Sequence, residues 1–306
     1  MDSGKSRDSL IEAILQRACF IPYRTRWQAH QMRLGQRASH QRGEGLEFDQ
    51  IKTYQPGEGV RRVNWAATAR HGYSSLFVNS YYDEKDLTVM ILVDLSGSMD
   101  FGSARLTKRA LAAELSASLV YSAQICHDRI GLLGFTSEVA CYFPPGHHRS
   151  YQWMIPEAIL SHDATYACAN FGAVAQALQV YLKRRSLVFL LSDFLTDDID
   201  DLVQALDLIR RRHDLRNLWL SDPREQELPV ANGVMRTRDL ETGDYVTIRL
   251  SRRNCRRIAD AAQAHQQRLH AIWQELDIAC TQITPESDYE TDIAHLVASP
   301  SGRSRR

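Results

Sequence analysis

Three side chains that carry oxygen lie close together in the sequence, at Asp94, Ser96 and Ser98. The two hydroxyls can bind a small, hard cation directly, and the carboxylate can bind it directly or through a water molecule. Oxygen-only ligation with retained water is typical of Mg²⁺, and Mn²⁺ and Ca²⁺ are the alternatives. A cation held in this way keeps an open coordination position, which would accept a carboxylate from a partner protein.

The strand that precedes these residues is the first of several that are predicted to be buried. Residues 87–93 are nearly all apolar or β-branched, as a strand covered on both faces requires. Further strands alternate with helices, which predicts an α/β, doubly wound, mostly parallel sheet. The predicted strands are 129–135, 138–143, 187–191, 218–220 and 278–283, and the predicted helices are 106–126, 151–160, 173–182, 200–211 and 252–276. Residues 234–250 are predicted to form an inserted β-hairpin.

A second acidic residue, Asp193, follows the predicted strand at 187–191. Ligands of doubly wound sheets bind beyond the carboxyl ends of the strands, where the strand order reverses. We therefore expect Asp193 to lie near Asp94 and to add a second negative charge beneath the cation. The alternative is structural, because an aspartate near serines at a strand end is often a helix cap or part of a turn.

The composition excludes several classes of function. Lys plus Arg and Asp plus Glu each total 37, so the net charge is zero, whereas a nucleic-acid binder needs an excess of basic residues. The short arginine runs are interpreted as solvated helix faces and a basic tail. Six scattered cysteines without a Cys-x-x-Cys pair indicate neither a disulfide framework nor a zinc site. The polar start and the lack of a long apolar run predict a cytoplasmic protein without membrane insertion.

Several motifs carry a resemblance to known families. Residues 89–99 resemble the metal-ion-dependent adhesion site of von Willebrand A domains. A wider set of motifs, kept in order along residues 30–298, is similar to the bacterial family called domain of unknown function 58, whose members are often encoded beside MoxR-type AAA+ ATPases. These motifs are Arg42-Gly43-Glu44-Gly45-Leu46-Glu47-Phe48, Tyr54-Gln55-Pro56-Gly57-Glu58, Arg61-Arg62-Val63-Asn64-Trp65, Ala69-Arg70, Asp128-Arg129-Ile130-Gly131-Leu132, Leu191-Ser192-Asp193-Phe194 and Asp222-Pro223-Arg224-Glu225-Gln226-Glu227-Leu228-Pro229.

The resemblance implies a von Willebrand A-like domain at 85–298, preceded by a family segment at 1–84 that packs on it, and followed by a flexible basic tail at 299–306. It implies a protein-binding module without established catalytic activity, which works with a MoxR-type AAA+ ATPase in protein assembly or activation. Matched position by position, Asp94, Ser96 and Ser98 correspond to the first loop of the adhesion site, and Asp193 to the acidic residue of the third loop.

The second loop departs from the pattern of A domains. These domains usually place a threonine in the turn before the next helix, and Ala169 stands at that position here. Thr165 lies four residues earlier and would compensate only in a rearranged loop. The loss of one hydroxyl ligand predicts an incomplete site, in which Mg²⁺ is weakly bound or absent.

A group of residues before position 84 forms a second candidate site. Arg61, Arg62, Trp65 and Arg70 are candidate partner-binding residues, because Arg and Trp are enriched at interface hot spots. The interpretation that we favour from sequence is structural, with Trp65 packing the N-terminal segment onto the main domain and the arginines satisfying backbone carbonyls.

Two other functions compete with protein binding. The first is a Mg²⁺-dependent phosphatase or phosphotransferase of the haloacid-dehalogenase type, which also places an aspartate after an apolar strand. Such enzymes need an acid/base aspartate two residues later, and Ser96 stands there instead. A serine hydrolase is disfavoured because neither Ser96 nor Ser98 lies in a Gly-x-Ser-x-Gly sequence. The second alternative is a structural module without any metal.

Overall fold

The computed structural model describes residues 3–23, 47–54, 63–72, 75–82, 87–103, 105–163, 167–196, 198–226, 228 and 233–298. The described strands are β1 (Glu47–Thr53), β2 (Phe77–Tyr82), β3 (Thr88–Asp94), β4 (Arg129–Phe135), β5 (Val139–Gly146), β6 (Leu187–Ser192), β7 (Asp214–Leu220), β8 (Val234–Arg238), β9 (Tyr245–Arg249) and β10 (Ala279–Ile283). The described helices are α1 (Ser3–Arg17), α2 (Trp65–Arg70), α3 (Lys108–Ile125), α4 (Tyr151–Ser161), α5 (Phe171–Tyr181), α6 (Ile199–Arg212), α7 (Pro223–Gln226), α8 (Arg252–Glu275) and α9 (Tyr289–Ala298).

The chain divides into two compact units. The larger unit contains Met1–Arg26 and Leu87–Arg306, and the smaller unit contains Trp27–Asp86. The division near residue 86 lies close to the predicted boundary at 84, whereas the first residues belong to the larger unit. There Ile21 donates its backbone N–H to Ser122 Oγ on α3, and the Tyr23 hydroxyl donates to Asp128 Oδ2 at 2.9 Å.

The larger unit is built on a six-stranded sheet with the order β10-β7-β6-β3-β4-β5. Every neighbouring pair is parallel except β4 and β5, so β5 is an antiparallel edge strand. This arrangement confirms the predicted doubly wound, mostly parallel sheet. The strand order reverses between β3 and β6, because the chain proceeds from β3 to β4 on one side and from β6 to β7 on the other.

The core strands are apolar on both faces because helices cover both sides of the sheet. Side chains alternate along a strand, so Met90 and Leu92 of β3 share one face. They pack in a cluster with residues of α5, α6 and α8, among them Leu178, Leu206 and Leu269. Helices α1, α3 and α4 pack against one another in the same unit. Among the described residues, no helix is both long and apolar enough to cross a membrane.

Two short sheets lie outside the main one. Strands β8 and β9 form the predicted hairpin, with Val234 paired to Arg249 and Arg238 paired to Tyr245. In the smaller unit, β1 pairs antiparallel with β2. The sequence did not predict β1, because the glycines before Phe48 favoured turns.

Candidate functional site

The ends of β3 and β6 place the two predicted aspartates at one edge of the sheet. The two strands are parallel neighbours, with Val93 of β3 opposite Leu191 of β6. Asp94 is the last residue of β3, and Asp193 follows β6 directly. Both residues are buried. The pair therefore flanks the point where the strand order reverses, as the sequence predicts.

The carboxylate of Asp94 organises the loop that follows it. Its Oδ1 accepts a hydrogen bond from the Ser96 backbone N–H at 2.8 Å, and its Oδ2 accepts one from Ser192 Oγ at 2.7 Å. Ser192 Oγ in turn accepts the Phe194 N–H at 2.9 Å. Both oxygens of Asp94 are thus engaged, and they join the loops after β3 and β6.

Burial makes Asp94 hard to ionise. Removal from water and, next, the negative charge of Asp193 raise the pKa of Asp94 from 3.8 to about 6, although the hydrogen bonds from Ser96 and Ser192 act to lower it. A carboxyl group with this pKa is ionised at neutral pH at a cost to the folded state. A cation next to Asp94 would remove part of that cost.

The hydroxyls of Ser96 and Ser98 form a closely spaced pair. Their Oγ atoms are 3.1 Å apart, and both residues are buried. Two ligands in adjacent positions of an octahedron with bonds of about 2.1 Å lie about 3 Å apart, so the hydroxyl spacing fits Mg²⁺. However, among the described residues no group of three or more His, Cys, Asp or Glu side chains could hold a metal ion. The metal at these residues stays a prediction.

A lysine from α3 forms an ion pair with the carboxylate of Asp193. Lys108 Nζ lies 2.6 Å from Asp193 Oδ2 and 2.5 Å from Glu225 Oε1, and the Lys108 side chain is fully buried. Burial alone would lower the pKa of Lys108, but the negative charges of Asp193 and Glu225 raise it above its usual value. The protein thus supplies its own cation to the acidic residue that was predicted to face a metal.

Lys108 and Glu225 are site residues that the sequence did not reveal. Lys108 is the first residue of α3, after the N-cap Thr107, whose hydroxyl accepts the Ala110 N–H. A cation is unfavourable at the positive end of a helix dipole, and Arg109 stands beside it. The pair of basic residues at the start of a helix was the sequence signal that could have identified Lys108 as a site residue. Glu225 lies in a family motif to which no role could be assigned from sequence.

The side chain of Arg109 contacts the backbone of the loop that follows β3. Its Nη2 lies 3.3 Å from the carbonyl oxygens of both Leu95 and Ser96, and its Nη1 donates to the His162 carbonyl. Its Nε forms an ion pair with Asp100, which closes the short 3₁₀ helix Gly97–Asp100. The loop backbone is therefore fixed by a buried guanidinium.

The second predicted loop contacts the first. The Gly97 N–H donates to the Ala167 carbonyl at 3.0 Å, and the Asn170 side chain caps α5 by accepting the Ala173 N–H. Ala169 packs against the hydrophobic core and brings no hydroxyl to the site. Thr165 lies outside the described residues. This packing is consistent with the prediction that the second loop lacks a hydroxyl ligand at position 169.

Backbone strain marks the position after Asp193. Phe194 has a φ of 54°, in the left-handed region that non-glycine residues seldom adopt. Its buried ring stacks on Phe171 with centroids 6.0 Å apart and meets Trp273 edge-on at 5.5 Å. This packing offsets the strain and turns the chain so that Asp193 faces Lys108.

The turn of the inserted hairpin lies directly on the loop. A Cβ atom built on Gly97 would lie 1.9 Å from the carbonyl oxygen of Leu240, so only glycine permits this approach. A cleft of about 370 Å³ lies beside the contact. Its lining comes from the loop, the inserted hairpin, the segments after β6 and β7, and α8, and consists of Ser98, Phe101, Leu195, Thr196, Glu225, Arg238, Asp239, Leu240, Glu241 and His265.

We expect Gly97→Ala to displace the hairpin turn. The added methyl group meets backbone rather than a flexible side chain, so the variant should lose more than about 1 kcal/mol of unfolding free energy. Hydrogen exchange should speed up at residues 239–243. Gly233→Ala is the matched control, because nothing lies within 4 Å of the position of its Cβ. Equal exchange at the turn in both variants would contradict the contact.

The candidate partner residues of the smaller unit are exposed where they are described. Trp65 is 60% exposed and Arg70 is also exposed on α2, which begins after the N-cap Asn64. The packing role that we favoured from sequence concerns a contact with the larger unit, and it stays a prediction. Arg61 and Arg62 lie outside the described residues, and their partner-binding role stays a prediction.

Comparison with known proteins places the chain in a family. The model of the family described as "Protein of unknown function DUF58" matches residues 50–269. The chain belongs to the DUF58 family. This membership confirms the resemblance identified from the sequence motifs. Uncharacterized proteins of Mycobacterium tuberculosis and Mycobacterium bovis are each 27% identical to this DUF58 chain over 259 residues, which is 84% of the chain and 80% of each relative.

Several solved structures are similar to this DUF58 protein at low identity. An aerotolerance-related membrane protein from Bacteroides fragilis has a TM-score of 0.46 at 16% identity, over 69% of this chain and 98% of that one. The conserved hypothetical protein BatB from Bacteroides thetaiotaomicron has a TM-score of 0.45 at 16% identity, over 69% and 97%. The SpRpn10 VWA domain has a TM-score of 0.38 at 14% identity, over 72% and 99%.

Proposed function

We propose that this DUF58 protein is a non-enzymatic protein-binding module, and that a MoxR-type AAA+ ATPase is its partner. The partner's segment enters the cleft beside Ser98 and presents an acidic side chain to the hydroxyls of Ser96 and Ser98. The observation that carries this proposal is the pair of hydroxyls, 3.1 Å apart, held rigidly at a cleft on the carboxyl edge of the sheet. Ligands of doubly wound sheets bind at this edge.

The state of the carboxylates supports binding rather than catalysis. An aspartate nucleophile needs a carboxylate oxygen that can reach the substrate. Both oxygens of Asp94 already accept hydrogen bonds, and Asp193 Oδ2 is paired with Lys108 while its Oδ1 accepts the Leu195 N–H at 3.1 Å. Ser96 stands where a haloacid-dehalogenase enzyme needs its acid/base aspartate. Phosphatase turnover on an aryl phosphate that disappears in Asp94→Asn would overturn the proposal.

A weakly bound Mg²⁺ is part of the proposal. Ser96 and Ser98 would hold it, with Asp94 behind them, and the cation would supply an open position for the partner's carboxylate. At ten times its dissociation constant, Mg²⁺ should raise the unfolding free energy by about 1.4 kcal/mol. Thermal unfolding should show this stabilisation in the wild type and not in Ser96→Ala/Ser98→Ala. Equal stabilisation of both proteins by Mg²⁺ would contradict metal binding by these residues.

Site-specific crosslinking tests where the partner sits. A photo-crosslinking amino acid at Leu195, which lines the cleft and is 39% exposed, should capture the purified MoxR-type ATPase. The same amino acid at Val180, which is 62% exposed on α5, is the control and should capture little. Capture from position 180 alone would contradict the proposed site, and capture from neither would remove this partner.

A further inference from the structure

One face of the inserted hairpin is entirely exposed and carries three arginines. In the register of β8 and β9, Val234 pairs with Arg249, Arg236 with Thr247, and Arg238 with Tyr245. Side chains of alternate residues share a face, so these six residues lie on the same side of the hairpin. All six are exposed, and none is acidic.

Tyr245 orders two of these arginines. The guanidinium of Arg236 lies 4.2 Å from the centre of the Tyr245 ring, and that of Arg238 lies 5.6 Å from it. Stacking leaves the N–H groups of the Arg236 guanidinium able to donate and reduces the entropy that binding would cost, whereas Arg238 Nε already donates to the Gly243 carbonyl at 3.3 Å. The hairpin therefore presents aligned donors rather than loose side chains.

The helix that follows extends the positive surface. Helix α8 begins three residues after Arg249, and Asn254 Nδ2 donates to the Arg249 carbonyl at 2.9 Å. Its first two turns carry four exposed arginines at positions that share one helix face, which are Arg252, Arg253, Arg256 and Arg257. We call these four, with Arg236 and Arg249, the arginine surface.

This arrangement is unfavourable in the free protein. The first turn of α8 contains no acidic residue, so its arginines lie at the positive end of the helix dipole. Like charges four residues apart also repel one another. Helix α6 shows the favourable arrangement, with Asp200 and Asp201 in its first turn and arginines in its last. There Arg210 and Arg211 form ion pairs with Asp207.

The described residues provide no compensating charge for the arginine surface. Within them, no acidic side chain lies in ion-pair distance of Arg236, Arg249 or the four arginines of α8. The chain as a whole has zero net charge, so this local excess is not a general property of its surface. Six arginines whose arrangement costs stability, and which have no acidic partner among the described residues, point to an external partner.

We propose that the arginine surface docks an extended, acidic protein segment with carboxylates at alternate positions. Side chains on one face of an extended strand recur about every 7 Å, and diagonal neighbours in a hairpin, such as Arg236 and Arg249, lie about 7–8 Å apart. Nucleic acid fits less well, because Asp239, Glu241 and Asp244 at the hairpin turn would repel a continuous polyanion. None of these six arginines lines the cleft beside Ser98, so the two sites succeed or fail separately.

Fluorescence anisotropy at about 0.15 M salt tests the surface directly. The probes are a labelled peptide of alternating Glu and Ser, the matching peptide of Gln and Ser, and a single-stranded DNA with the same number of charges. We expect the Glu peptide to bind the full-length protein at least about tenfold more tightly than the other two. A Gln peptide that binds equally well, or DNA that binds as tightly as the Glu peptide, would overturn the proposal.

Three double variants separate binding from folding. Arg236→Gln/Arg249→Gln should weaken binding of the Glu peptide by about tenfold. Arg210→Gln/Arg211→Gln, which removes two exposed arginines of α6, should leave the affinity for the peptide unchanged. Arg252→Glu/Arg253→Glu should abolish binding of the Glu peptide. The melting temperature of the free protein should rise by about 2 °C in this variant, because negative charge is favourable at the start of a helix. Unchanged binding in the hairpin and α8 variants would contradict the proposal.

Discussion

Replacing Lys108 by methionine is expected to lower the unfolding free energy by about 3–5 kcal/mol, because it leaves two carboxylates without their buried cation. Lys108 lies within 2.6 Å of both Asp193 and Glu225, and the side chains of Lys108 and Asp193 are almost completely buried. The loss includes the desolvation cost of the stranded charges, which exceeds the net contribution of the ion pairs themselves. Urea unfolding at pH 7.5 measures the change.

Neutralising the stranded carboxylates tests the explanation. The triple variant Lys108→Met/Asp193→Asn/Glu225→Gln removes all three charges and should recover most of the lost stability, since a buried ion network is often replaceable by neutral groups. Lys183→Met is the matched control, because Lys183 is exposed and should change stability by less than about 0.5 kcal/mol. A Lys108→Met protein as stable as this control would refute the internal-cation role.

Asp94→Asn is expected to stabilise the metal-free protein at neutral pH by about 3 kcal/mol. The folded state binds the Asp94 proton more tightly than the unfolded chain does, since burial and then Asp193 raise the pKa from 3.8 to about 6. The wild type therefore loses stability as the pH rises from about 4 to about 6, at about 1.4 kcal/mol for each unit of pKa shift. The variant has no such loss.

The pH dependence distinguishes this effect from altered packing. In EDTA, the difference in unfolding free energy between Asp94→Asn and wild type should be small at about pH 4 and should grow to its full value by about pH 7. Asp207→Asn should behave in the opposite sense, because the hydrogen bond from Arg211 lowers the pKa of Asp207. Its stability deficit should shrink on acidification. A pH-independent loss of stability in Asp94→Asn would contradict the account.

The parts of the site that lie at strand ends could be predicted from sequence. Continuous apolar runs identify buried parallel strands, and the carboxyl ends of such strands meet at one edge. Asp94 and Asp193 were therefore placed together correctly. The missing hydroxyl at Ala169 was also visible, because the position precedes the start of a predictable helix.

The parts of the site that depend on tertiary contacts could not be predicted. Lys108 and Glu225 are separated by more than a hundred residues, and no local pattern pairs a lysine with a particular carboxylate. The hairpin was predicted from its alternating residues and its turn, but nothing in them indicates that Leu240 packs on Gly97. The strand β1 was missed because nearby glycines obscured its pattern.

The affinity of the purified MoxR-type ATPase for the wild type and for Ser96→Ala/Ser98→Ala tests most directly whether the loop is a partner-binding site. The control is Ser150→Ala/Ser161→Ala, in which both serines are exposed at the ends of α4. We predict that removing the two loop hydroxyls weakens binding by at least about tenfold, while the control binds as wild type does. Equal affinity for all three proteins would contradict the assignment of the loop to partner binding.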